Sequence, residues 1–309
     1  TDDQRTFVLD PVDLLGSATQ NLGYTIYLCG TASSRGNCPP DGIKLASGSA
    51  AFLGRFNDYQ WSFETGTLID VRPPRIESVV PIPDNAAGGP VADKPRNVIL
   101  QVNFDEPVLP TVVSGKTITL GPTGTLTTSG VLQPGTFDKL RARLLGNAGA
   151  LTETFIAGEW KLGNQYQTSE FWTTDLCGRN SCGGEVFCLP GPEHLAVEAL
   201  AASLFKSGEP ASKGLFDGIE DVAGNSLDGN RDGKTQGPTA FYNLNLPENK
   251  TGDNVRWSFF TADTIDLTAP LVQSTAPALQ SSGAPLLSPL EITFTKPMAR
   301  STLNSENLD

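Results

Sequence analysis

The string WSFETGTLID at residues 61–70 returns as WSFFTADTID at residues 257–266, and this repeat constrains the fold more than any other feature of the chain. Aligned without gaps, windows 61–81 and 257–277 share nine identical residues of twenty-one. In YQWSFET the residues Tyr59, Trp61 and Phe63 alternate with polar neighbours, and in VRWSFFT Val255, Trp257 and Phe259 do the same. Period-two alternation puts three large apolar side chains on one face of a strand, against a core. After each strand the chain passes through a short polar stretch carrying Asp70 or Asp266 and then into proline.

The similarity resumes beyond a loop of different length. NVILQVNFDEP places Val98, Leu100, Val102 and Phe104 on one face, and PLEITFTKPM does so with Leu290, Ile292 and Phe294. Pro107 and Pro297 have no N–H to give a ladder, so they end these strands. Each unit therefore closes with a Trp strand and an Asp/Pro linker, and the next unit opens with a strand ending in Phe-x-x-Pro. The boundaries fall near 70 and 267: residues 1–70 are a closing half, 71–267 a complete unit, and 268–309 an opening half. With 32 Gly, 23 Pro and only 18% charged residues in 309, the composition is that of a turn-rich, all-β chain.

This organisation resembles the bacterial Ig-like domain of the S-layer type, a module found in tandem in large bacterial surface proteins. The resemblance is carried by TAPLVQSTAPALQSSGAPLLSPLEITFTKPMARSTLNSENL, by GIEDVAGNSLDGNRDG and by the WSFFT closure. It implies tandem Ig-like β-sandwiches, each of about 100 residues and about seven strands. Two departures stand out. The family's acidic residue in the Phe-x-x-Pro stretch is matched by Glu106 but replaced by Lys296. The middle unit is nearly twice the family size, with the excess as an insertion around 120–215. That insertion holds EWKL, three cysteines and EHLAVEALAASLF, which reads as a strand through Leu195 and Val197, with a short helix as the alternative. As an elaboration projecting from a scaffold, it is the expected surface for a specific contact.

The two end pieces are complementary. Joined as STLNSENLD followed by TDDQRTFVLDP, they read as one Ig-like unit. With Thr1 rather than Met at the start, we expect a segment of a larger polypeptide, or subunits that complete each other's sandwich head to tail. A half sandwich exposes its core and strand edges, and head-to-tail contacts that do not close into a ring build filaments.

One stretch has recognisable chemistry. In EDVAGNSLDGNRDG, Asp228, Asn230 and Asp232 stand at positions one, three and five, with Gly233 at six, as in a D-x-N-x-D-G calcium loop. Asp221 or Asn225 would add to the shell. Position twelve is Thr239 rather than the Glu of a helix-loop-helix hand, so we expect a strand-connecting calcium loop, against the alternative of a solvated Asn/Gly turn. The linker residues Asp70 and Asp266 are expected to cap turns before proline more readily than to hold an ion, because two carboxylates do not make a six-oxygen shell. The cysteines cluster as Cys29 with Cys38, and as Cys177, Cys182 and Cys188. Short Gly-rich loops of this kind suit the disulfides of exported proteins, and the spacings match no common zinc or iron-sulfur pattern. One cysteine is left over, and the pairing within the triplet stays open.

A formal charge of -12 opposes wide contact with nucleic acid or anionic lipid, and no apolar run reaches the length of a membrane span. The single histidine, His194, has no nucleophile or metal partner recognisable in sequence, so catalysis is not expected. We therefore expect a structural, extracellular cell-surface array whose partners are copies of itself or adjacent Ig-like modules. The alternative is an adhesin that binds a glycan or another cell through the enlarged middle unit.

Overall fold

The computed structural model describes residues 15–31, 38–39, 41–52, 58–84, 93–110, 115–117, 139–146, 151–203, 218–285, 287 and 289–299. The stretches FVLDP and STLNSENLD, and residues 120–138, 147–150 and 204–215 of the expected insertion, lie outside them. The described residues form sixteen strands and a single 3-10 turn at Asn164–Tyr166, so the protein is all-β. No helix among them is long and apolar enough to cross a membrane.

The chain divides into two compact units, Leu9–Asp70 and one containing Val71–Asp309. In the smaller unit, β1 (Leu22–Cys29) and β2 (Asp58–Thr65) form an antiparallel pair with Ile26 opposite Trp61 and Tyr24 opposite Phe63. The Tyr24 and Phe63 rings stack at 5.6 Å.

The larger unit is built on two five-stranded sheets. The first runs in the order β3 (Ile76–Val80), β4 (Leu100–Phe104), β9 (Thr168–Thr173), β8 (Gly158–Gly163) and β5 (Gly115–Thr117). The second runs β13 (Phe241–Asn243), β14 (Asn254–Phe260), β12 (His194–Ala199), β6 (Leu140–Leu145) and β7 (Leu151–Phe155). Among the described strands of these sheets, only β13 and β14 pair in parallel. Both sheets feed one core: Leu100, Val102, Phe104, Trp160 and Phe171 from the first meet Leu140, Leu195, Val197, Val255, Trp257 and Phe259 from the second. Along β14 the alternation read from the sequence is realised, with Val255, Trp257 and Phe259 buried and Arg256 and Ser258 less so. Burying each such side chain contributes roughly 1.5–3 kcal/mol.

The segment 120–215 does not simply project from this scaffold. It supplies β6, β8, β9 and β12, which occupy interior positions in the two sheets. EHLAVEAL is a strand at His194–Ala199 and lies between β6 and β14. The part that stands apart is the hairpin of β10 (Leu176–Arg179) and β11 (Glu185–Phe187). A final pair, β15 (Val272–Ala276) and β16 (Glu291–Phe294), follows the Asp266 linker.

The sequence repeat is also a repeat of register. Ile76 faces Phe104 in β3–β4, and Val272 faces Phe294 in β15–β16, each with a bulge before the following serine pair, Ser78 or Ser274. Val197 faces Trp257 in β12–β14, as Ile26 faces Trp61 in β1–β2. The bonds preceding Pro81 and Pro277, at equivalent positions, are both cis.

Candidate functional site

Equivalent residues of the repeat have opposite fates. Trp257 is 0% exposed, yet its counterpart Trp61 is 41% exposed; Phe259 is 0% and Phe63 37%. Val102 is 0% exposed and its counterpart Ile292 46%, while Leu290 and Val272 are exposed where Leu100 and Ile76 are buried. The same apolar stripe that packs the two-sheet core therefore lies open on β1–β2 and on β15–β16. Two-stranded pairs of this kind are marginal in water and gain stability by covering such a face. In the larger unit the equivalent pairs, β12–β14 and β3–β4, belong to the two sheets that share one core.

At the second linker, Asp266 Oδ1 accepts from the Thr268 amide at 3.0 Å, so the turn-capping reading holds. Its Oδ2 accepts from Lys296 Nζ at 2.5 Å, and Lys296 also donates to the Thr268 carbonyl at 2.7 Å. The ammonium beside it holds the Asp266 carboxyl down at about 2. Lys296, which stands where the earlier repeat has Glu106, thus supplies the positive charge at this linker from within the chain.

The loop after Leu227 brings Asp228, Asn230 and Asp232 together. Asp228 is fully buried: Oδ1 accepts from the Asp232 amide at 3.1 Å, and Oδ2 from the Gly233 amide at 2.9 Å. Arg75 donates to the same Oδ2 through Nε, also at 2.9 Å. Asn230 Oδ1 accepts from the Asp232 amide at 2.9 Å, and Gln236 Nε2 donates to Asp232 Oδ2 at 2.7 Å. Gly233 has φ +83°, the left-handed region that glycine enters without steric cost. At Gly229 an added Cβ would lie 2.0 Å from the Asp253 carbonyl oxygen, so only glycine lets the loop approach β14.

Asp253, just ahead of β14, was not singled out by the sequence. It is 0% exposed; Oδ2 accepts from the Gln236 amide, and Oδ1 is buried without a hydrogen-bond partner among the described residues. Burial pushes its carboxyl up, and the charges of Asp228 and Asp232 add to the effect. No local spacing marks it, because it sits 25 residues beyond Asp228; an Asp between glycine and an apolar strand was the only available signal.

Asp221 and Asn225 form a turn of their own. Asp221 Oδ1 accepts from the Ala223 and Asn225 amides, both at 2.8 Å, and Oδ2 from Asn225 Nδ2 at 2.8 Å. Asp221 and Glu106 bring carboxylate oxygens within 4.8 Å of each other. Cys29 pairs with Cys38, Cys177 pairs with Cys188 across the β10–β11 hairpin, and Cys182 is a free, exposed thiol. Two disulfides are the mark of a protein matured in an oxidising compartment. His194 stacks on Phe260 at 4.0 Å, and burial lowers its pKa, with Asp84 acting in the opposite direction.

No protein-family model, curated protein or solved structure matches the chain.

Proposed function

We propose that the chain is a structural segment of a large bacterial extracellular surface protein, made of tandem Ig-like sandwiches. In this reading the closing pair β1–β2 of one copy is covered by the opening pair β15–β16 of the next, head to tail, building a filament or surface array. The observation that carries it is the contrast between Trp61, Phe63 and Ile292, which are exposed, and their repeat counterparts Trp257, Phe259 and Val102, which are buried in one core. Each end presents the apolar stripe that the middle unit packs against the other. The disulfides fit an extracellular location. The adhesin reading relied on a projecting elaboration; placing β6, β8, β9 and β12 inside the sheets favours a scaffold instead.

Sedimentation velocity and electron microscopy of the chain test this, together with the variants Trp61→Asp and Ile292→Asp. The wild type should form oligomers that lengthen with concentration, and each variant alone should be monomeric. A mixture of the two variants should give a one-to-one dimer, because each retains the intact half that the other lacks. A wild type that stays monomeric throughout, or variants that assemble like it, refute the proposal.

A further inference from the structure

We propose that the loop joining β15 to β16 binds the bare edge of β2 in the next copy of the chain, through main-chain hydrogen bonds at Gln280 and Ala284. This edge contact rests on the head-to-tail reading above and adds to the covering of the apolar faces. Its template lies inside the larger unit. There β14 has β12 on one side, and past its short pairing with β13 its other edge is taken by two residues of the connection between β3 and β4. The Asp84 amide donates to the Ser258 carbonyl at 3.2 Å, and the Asp84 carboxylate accepts from the Phe260 amide at 3.1 Å. The Lys94 amide donates to the Phe260 carbonyl at 2.7 Å, and the Lys94 carbonyl accepts from the Ala262 amide at 2.8 Å. Lys94 and Thr261 are thereby parallel bridge partners.

The repeat gives each of these residues a counterpart. The ungapped alignment carries Ser258, Phe260, Thr261 and Ala262 onto Ser62, Glu64, Thr65 and Gly66, and Asp84 onto Gln280. Counted back from Phe104 and Phe294, Pro95 falls on Pro285 and Lys94 on Ala284. β2 pairs with β1 alone among the described residues, in the register that β14 keeps with β12, so the same main-chain groups of Ser62 and Glu64 lie on the edge away from β1. Ser62, Glu64, Gly66, Gln280 and Ala284 are all exposed. The loop that carries the last two is shaped from within: the Ser281 amide donates to the Ala278 carbonyl at 3.0 Å, and Gly283 turns the chain at φ +77°. An open strand edge is a template for another chain, and a segment that adds to it gains its bonds through the main chain. Gln280 and Ala284 can therefore take the places of Asp84 and Lys94 although their side chains differ.

Cysteine trapping and sedimentation velocity test the contact, in chains that carry Cys182→Ser. Thr65→Cys and Ala284→Cys are made separately, because their counterparts Thr261 and Lys94 are bridge partners and neighbouring strands lie within disulfide reach. Mixed and oxidised, the two variants should give a covalent dimer that neither gives alone. Gly66→Pro removes the N–H that corresponds to that of Ala262 and should weaken association about tenfold, because the Ala284 carbonyl loses its donor. Oligomers that form without the covalent dimer, or Gly66→Pro chains that associate as tightly as wild type, overturn the edge contact and leave the head-to-tail reading standing. A wild type that never associates overturns both.

Discussion

Lys296 Nζ lies 2.5 Å from Asp266 Oδ2 and holds that carboxyl at about 2, well below the ordinary value of about 3.9. Because the folded pKa is the lower one, the unfolded chain binds the proton more readily, and the ionised pair contributes stability above about pH 4. That contribution is lost as pH falls towards about 2. Replacing Lys296 with Met should move the Asp266 carboxyl back towards the ordinary range in a carbon-detected NMR titration; a value still near 2 would remove Lys296 as the cause. Lys296 was legible in the sequence as a break in a repeated motif. Asp253 was not, since a residue that meets the 228–236 loop from a distant part of the chain leaves no spacing to recognise.

β12 shows why some elements resist sequence reading. His194–Ala199 is buried along nearly its whole length, so its apolar pattern does not alternate cleanly. Leu195, Val197 and Ala199 belong to the core, while Glu198 meets Arg143 at 2.6 Å and Arg256 at 2.5 Å. The two guanidiniums in turn lie over the Phe155 and Phe241 rings. This ladder ties three neighbouring strands, and among the described residues Glu198 is the anion the two arginines share. Glu198→Gln should therefore destabilise the larger unit by about 3 kcal/mol in urea unfolding, because removing one partner leaves buried charge uncompensated. A loss below about 1 kcal/mol, the range of solvent-exposed pairs, would show that solvent carries these arginines instead. Sequence alone supplied the strand through Leu195 and Val197, but the pairing of Glu198 with arginines from two other strands needs their register.

Across the molecule, one motif occupies two environments, and that makes a direct comparison possible. Trp257→Ala should cost the larger unit about 3–5 kcal/mol, the range for emptying an aromatic site in a packed core. Trp61→Ala should leave the same unfolding transition of the dilute chain within about 0.5 kcal/mol; equal losses would mean that the two tryptophans are equally packed. Short-range chemistry determined much by itself: alternation fixed the Trp strands, proline fixed their ends, and the repeat fixed their equivalence. Those features act over a few residues and are written in order along the chain. Tertiary structure alone decided that β6, β8, β9 and β12 belong inside the sheets, that Cys177 pairs with Cys188, that Asp253 reaches the 228–236 loop and that Trp61 is exposed while Trp257 is not. Each of these depends on which distant strands come together, and burial is a property of what covers a residue rather than of the residue itself.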